Sequence, residues 1–268
     1  MTIPPALGRS VSYLFVPGSR PDRVEKARHN AADEIIIDLE DAVGPADKAM
    51  AREALVELPA GRPFYVRVNA RGTPEHDADL RTVAGLPSVL GVVLPKVESS
   101  EDVAAVSSVL PVHLRLLALV ETARGLVDAE GIASAGVSRI MFGFIDYLAD
   151  IGAPYSRGAL LYPRSRLVVA SRAAGLPAPV DGPSLVIDDP TAVRSEAEEA
   201  RELGMGGKLC IHPNQVPIVT QAFRPGDEER RWAESVLIEA ESRGGGVFLF
   251  EGRMVDEPVL ARARRILE

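Results

Sequence analysis

Several carboxylates and cations in this chain fall where short apolar runs stop. Residues 114–122 form such a run and close on Glu121, while residues 138–144 are followed within two positions by Asp146. Residues 34–41 end on Asp38, Glu40 and Asp41, residues 63–69 on Arg67 and Asn69, residues 89–96 on Lys96, and residues 206–211 on His212. An unpaired charge inside an apolar core costs several kcal/mol, so polar groups recurring at strand ends favour a shared site. Glu121 and Asp146 can hold a hard divalent cation. Mg²⁺ suits them best, because it takes one or two carboxylates and completes its octahedron with water and substrate oxygens. With four histidines lacking ligand-like spacing and one cysteine, the chain does not present a zinc site. Arg67 is the natural clamp for a carboxylate or keto-acid oxygen, its fork giving bidentate, charge-assisted hydrogen bonds. Cation and guanidinium together would stabilise an enolate.

Each of these residues also has a structural use. Asp38, Glu40 and Asp41 can cap the next helix or pair with Arg67. Lys96, after Pro95, can serve as a Schiff-base nucleophile or simply pair with barrel acids. His212 can be a packed, hydrogen-bonded ring as readily as a base. Cys210, inside an apolar strand, reads as core. The charged residues of 191–203 read as a solvated helix face.

The elements that must position these groups alternate. Strands are predicted at residues 12–16, 34–41, 63–69, 89–96, 114–122, 138–144, 184–188 and 206–211, with helices over 21–30, 47–58, 75–84, 100–109, 123–135, 165–174 and 191–203. An insertion carrying Pro154, Tyr155 and Pro163 precedes the sixth of these helices. Eight strands alternating with these helices match a (β/α)₈ TIM barrel, an α/β fold that gathers its chemistry at the C-terminal strand ends. The barrel is expected over residues 1–225. Residues 226–268 read as a C-terminal helical extension or lid, with a helix at 227–243, a break at Gly244-Gly245-Gly246, a short hairpin at 247–255 and a last helix at 258–267.

The 268 residues are 46% hydrophobic with a formal net charge of −8, which argues against nucleic acid or an anionic membrane as a general partner. No apolar run approaches a membrane span. The lone cysteine, Cys210, excludes an internal disulfide and points to the cytoplasm. Residues 1–10 do not read as a signal peptide.

Together the strand-end motifs resemble the citrate lyase β-subunit-like proteins of the HpcH/HpaI aldolase and CoA-thioester lyase superfamily. They are Leu14-Phe15-Val16-Pro17-Gly18 with Arg20, Pro21, Arg23 and Lys26; Asp38-Leu39-Glu40-Asp41-Ala42-Val43; Val66-Arg67-Val68-Asn69; Leu94-Pro95-Lys96; Val120-Glu121-Thr122; Gly143 with Asp146; and Gly207-Lys208 with Ile211-His212-Pro213. The resemblance implies Mg²⁺ on Glu121 and Asp146, Arg67 on a 2-oxoacid, and cleavage or formation of a 3-hydroxyacyl-CoA-type thioester. The fragments would be an acyl thioester and a 2-oxoacid such as oxaloacetate, pyruvate or glyoxylate. It makes Arg20 and Lys26 candidates for nucleotide phosphates, Lys96 a further substrate cation, and Glu40 and Asp41 members of the reacting set. Asp256, in Met254-Val255-Asp256, becomes an acid or base supplied to the next subunit of a homo-oligomer, a trimer or hexamer. One departure is Ile145, where such proteins commonly carry an acidic or polar residue before the metal aspartate. Two alternatives stay open: a Mg²⁺-dependent aldolase on a free hydroxy-keto acid without CoA, and a non-catalytic keto-acid-binding subunit.

Overall fold

A computed structural model describes residues 7–267. The eight strands β1 (Ser12–Pro17), β2 (Glu34–Asp38), β3 (Phe64–Arg67), β4 (Val89–Leu94), β5 (Arg115–Val120), β6 (Arg139–Phe142), β7 (Val180–Asp181) and β8 (Gly207–Cys210) pair in sequence order, all parallel. β1 also pairs with β8, so the sheet closes into a barrel and the TIM-barrel expectation holds. Helices α1 (Pro21–Arg28), α2 (Lys48–Val56), α3 (His76–Ala84), α4 (Ser100–Ser107), α5 (Ala123–Val127), α6 (Ala129–Ser134), α7 (Phe144–Ile151), α8 (Arg157–Ala173), α9 (Pro190–Glu202) and α10 (Gln215–Phe223) connect and follow the strands.

The two faces of each strand serve different cores. Tyr13, Ile36, Tyr65, Val93, Leu117, Leu119, Met141, Val180 and Leu209 fill the barrel interior. Their alternates, such as Leu14, Ile35, Ile37, Val66, Ala118 and Cys210, pack toward the helices in a larger cluster. Cys210 is therefore core, as its sequence context indicates.

Three expected elements differ. The seventh strand lies at Val180–Asp181, not at residues 184–188. Its two residues are defined by pairing with Met141, Gly207 and Lys208, a tertiary relation that local apolar content cannot reveal. The apolar run Leu185, Val186 and Ile187 is instead an exposed loop. The predicted helix over 165–174 begins earlier, at Arg157, because Ser156 caps it by accepting from the Ala159 amide; Pro163 lies buried inside it rather than in a preceding insertion. The segment 123–135 is broken at Asp128, whose carboxylate accepts from the Ser100 amide.

The barrel unit ends at Phe223, and a second compact unit begins at Arg224. The second unit has its own core, in which Ala233, Val236 and Ala240 of α11 (Asp227–Ser242) pack with Phe248, Val255, and Leu260 and Ala263 of α12 (Glu257–Leu267). Its hairpin, β9 (Phe248–Phe250) and β10 (Arg253–Val255), turns through Glu251 and Gly252 at φ 50° and 75°, the signature of a tight primed turn. Among the described residues no helix is long and apolar enough to cross a membrane.

Candidate active site

Strand parity carries the barrel interior into the site. Two residues beyond Ile36, Tyr65, Leu119, Met141 and Leu209 stand Asp38, Arg67, Glu121, Gly143 and Ile211. All five line one cavity of about 470 Å³, joined by Phe15, Pro17, Asp41, Ala42, Phe144, Ile145, Asp146 and Pro183. Because alternate side chains share a strand face, the inward rows must emerge together at the strand ends. Asp146 arrives differently, from the first turn of α7 immediately after β6.

Glu121 is only 1% exposed. Its Oε1 accepts the Lys96 amide at 2.8 Å, and a Cβ on Gly143 would lie 2.4 Å from its Oε2. Gly143 has φ −94°, so its small size matters for space rather than for backbone freedom. Burial, with Glu40 and Asp146 nearby, pushes the Glu121 carboxyl up to about 8. The same surroundings that hold a proton on Glu121, burial beside other carboxylates, are ones that a bound cation would offset. Among the described residues no set of three or more His, Cys, Asp or Glu is arranged as metal ligands. A two-carboxylate site with room for water and substrate oxygens nevertheless fits Mg²⁺, whose protein ligand count is low.

Arg67 is more heavily engaged than a free clamp. Its Nε and Nη2 donate to Asp38 Oδ1 and Oδ2 at 2.8 and 2.6 Å, Nη1 lies 2.9 Å from Glu40 Oε2, and Nη1 donates to Asp41 Oδ2 at 3.4 Å. The guanidinium also lies 4.9 Å over the Phe15 ring. Burial works against its charge, but Asp38, Glu40 and Asp41 outweigh it and hold the proton more tightly than usual. The Nε and Nη2 edge is therefore closed to substrate; one Nη2 hydrogen has no partner among the described residues. Asp38 also accepts the Glu40 and Ala42 amides, which makes it the post that holds Arg67.

Glu40 is buried behind Arg67 and is absent from the cavity wall, whereas Asp41 reaches it. Burial raises the Glu40 carboxyl, partly countered by Arg67 and Lys96. Lys96 Nζ donates to Glu40 Oε1 at 2.8 Å, the pairing with barrel acids anticipated from its position. Asn69 turns inward to Leu39 O and Asp79 and holds the strand-end loops rather than the cavity.

A second cavity of about 500 Å³ shares Phe15, Pro17 and Ile211 with the first and adds Arg23, Lys26, Asn30, His212 and Pro213. Of the two expected phosphate partners, Lys26 lines it. Arg20 instead pairs with Asp22 at 3.0 Å on the exposed face. Within the second unit, Asp256 Oδ1 accepts from the Val259 amide at 3.3 Å at the start of α12.

Sequence reasoning missed Gln215, at the start of α10. Fully buried, it spends both ends of its amide on two loops: Oε1 accepts from Ile211 and His212 amides, and Nε2 donates to Ser184 and Val186 carbonyls. It ties the loops after β7 and β8, which supply Pro183 and Ile211 to the cavity. The only local signal was an amide side chain just after a strand.

The family model for HpcH/HpaI aldolase/citrate lyase matches residues 11–213. A citrate lyase subunit beta-like protein of Deinococcus radiodurans is 41% identical, over all of this chain and 99% of that protein. The mitochondrial citramalyl-CoA lyase of Rattus norvegicus is 32% identical, over 96% of this chain and 84% of its own length. Among solved structures, protein CitE from Mycobacterium tuberculosis in complex with magnesium, acetoacetate and coenzyme A superposes with a TM-score of 0.87 at 39% identity, covering 97% of this chain and 98% of that one.

Proposed function

Given that the chain belongs to the HpcH/HpaI aldolase/citrate lyase family, we propose that it is a Mg²⁺-dependent carbon–carbon lyase acting on a 3-hydroxyacyl-CoA-type thioester. Its products in the cleavage direction are an acyl thioester and a 2-oxoacid, with oxaloacetate, pyruvate and glyoxylate the candidates. The observation that carries this reading is one cavity wall holding Glu121, Asp146 and Arg67, adjoining a second cavity lined by Arg23 and Lys26. The first suits a cation and a keto acid. The second suits the phosphates of a nucleotide-bearing thioester, and Phe15, Pro17 and Ile211 form the shared apolar boundary.

Glu121 and Asp146 would hold Mg²⁺, which supplies Lewis-acid stabilisation of negative charge on a keto-acid oxygen. Arg67, fixed by Asp38, offers its remaining Nη2 hydrogen to the same fragment. Cleavage requires removal of the substrate hydroxyl proton; the electron pair then moves through the breaking C–C bond to the thioester α-carbon, and that enolate takes up a proton. Asp41, at the cavity wall, is the carboxylate available on this barrel to accept the hydroxyl proton. Asp256, supplied by a neighbouring copy in a homo-oligomer, would deliver the proton to the enolate. Glu40 supports Arg67 and Lys96 rather than meeting substrate.

The test combines calorimetric binding of pyruvate, glyoxylate and oxaloacetate, with and without Mg²⁺, and turnover of malyl- and citramalyl-type CoA thioesters. Metal-dependent oxoacid binding with thioester cleavage is expected. Cleavage of free hydroxy-keto acids with no gain from the thioester would instead support the aldolase. Asp256→Ala is expected to leave Mg²⁺ and oxoacid binding within about twofold while lowering turnover at least about 10²-fold, the scale of a general acid–base group. Full turnover in that variant would remove Asp256 from the reaction.

A smaller change addresses the ligand directly. Gly143→Ala puts a methyl only 2.4 and 2.6 Å from Glu121 Oε2 and Cβ, so the side chain must move. Displacement of the carboxylate by such an amount is expected to cut turnover about 10²-fold. Its helical content by circular dichroism should match wild type, and unchanged Mg²⁺ affinity would count against the Glu121 assignment.

A further inference from the structure

Lys96 is a lysine in a conformation that usually belongs to glycine. Its φ is +52°, and among the described residues Glu251, in the hairpin turn, is the other non-glycine with positive φ. A side chain bearing a Cβ pays for this backbone, so something local must hold it. The reason for it lies in two successive amides. Lys96 N–H donates to Glu121 Oε1 at 2.8 Å, and Val97 N–H donates to Leu119 O at 3.3 Å. In an extended strand neighbouring amides point in opposite directions, so an extended chain could not direct both toward the end of β5. The left-handed turn at Lys96 does. The anchor for that turn is the side chain, because Nζ reaches Glu40 Oε1 at 2.8 Å, and Glu40 in turn lies against Arg67.

We propose that Lys96 is a positioning residue: its Nζ, clamped on Glu40, holds its backbone left-handed so that its amide fixes the Glu121 carboxylate for the metal. This rests on the reading of Glu121 as a Mg²⁺ ligand given above. It also couples the two halves of the site through one residue: the side where Glu40 braces Arg67 for the oxoacid, and the Glu121 side that would meet the cation. A lysine needed only for its charge would have no use for the strained backbone.

Glycine and alanine separate the two roles. Lys96→Gly removes the ammonium yet adopts φ +52° without penalty, so the amide should stay on Glu121. Lys96→Ala removes the same ammonium but keeps the Cβ that disfavours the turn, so the backbone should relax and release Glu121. Calorimetric Mg²⁺ titration without substrate is expected to give Lys96→Gly an affinity within about twofold of wild type, and Lys96→Ala one weaker by about five- to tenfold. A charge-only role predicts instead that both variants bind Mg²⁺ more tightly and equally, since each removes a cation near the site. Melting of the metal-free proteins supplies a second reading, with Lys96→Gly expected about 2–4 °C above Lys96→Ala. Equal Mg²⁺ affinities in the two variants would overturn the proposal. Wild type that takes up no Mg²⁺ while the melting gap persists would overturn the metal reading, and the role of Lys96 toward it, but not the strained turn.

Discussion

Replacing Glu121 by alanine is expected to abolish measurable Mg²⁺ binding and to lower turnover at least about 10³-fold, the scale on which a preorganised electrostatic group contributes to a transition state. The same substitution should stabilise the metal-free protein. Glu121 is buried, and its carboxyl is pushed up to about 8 by burial and by the charges of Glu40 and Asp146. Because the folded chain holds this proton more tightly than the unfolded chain, the wild type loses stability as pH rises from the ordinary carboxylate range, about 4.3, toward 8. Alanine lacks that liability. Its advantage in metal-free melting temperature should therefore grow across this window and level off above pH 8, reaching about 2–6 °C. In wild type Mg²⁺ must displace the proton, so affinity should rise with pH up to about 8, each ion releasing close to one proton well below that value. Glu121→Ala that still binds Mg²⁺, or that loses stability at every pH, would contradict the assignment.

The residues of this site were legible in the sequence because a buried parallel strand is apolar on both faces, so the first carboxylate or cation after it marks the end of the barrel. That logic found Asp38, Arg67, Glu121 and Asp146, all on the cavity wall. It could not tell which of them support and which react. Asp38 and Glu40 are carboxylates at nearly the same position as Asp41, yet Asp38 is consumed by Arg67 and two amides while Glu40 is buried behind the guanidinium. Hydrogen-bond saturation is a tertiary property.

β7 was misread for a related reason. Two residues between a proline-rich approach and Gly182 carry no periodicity, whereas the apolar loop beyond them mimics a strand. Gly182 is required there because a Cβ would lie 2.3 Å from the Phe144 ring, a close approach set by the neighbouring helix. The left-handed Lys96 left no trace in residue type at all, since lysine carries none of glycine's conformational signal.

Arg67→Lys should be nearly as damaging as Glu121→Ala, despite conserving charge. Arginine here pairs side-on with Asp38 and meets Glu40 and Asp41 through Nη1 with one planar group, and on the proposed reading it would also offer an Nη2 hydrogen to the keto acid. A lysine ammonium is a point donor on a thinner stem, unable to bridge both oxygens of Asp38 while reaching Glu40. Asp38 would then be left with one buried oxygen short of its charged partner, and Glu40 would lose the guanidinium that opposes its desolvation. The expected result is a fall in kcat/KM of about 10²–10³, with Mg²⁺ affinity in the absence of substrate changed less than about threefold. The division matters more than the size of the loss. If Arg67 acts on the oxoacid, the defect must appear when pyruvate or glyoxylate is titrated into Mg²⁺-loaded protein. If it served only to brace the strand ends, oxoacid affinity would survive and the loss would follow the melting temperature instead.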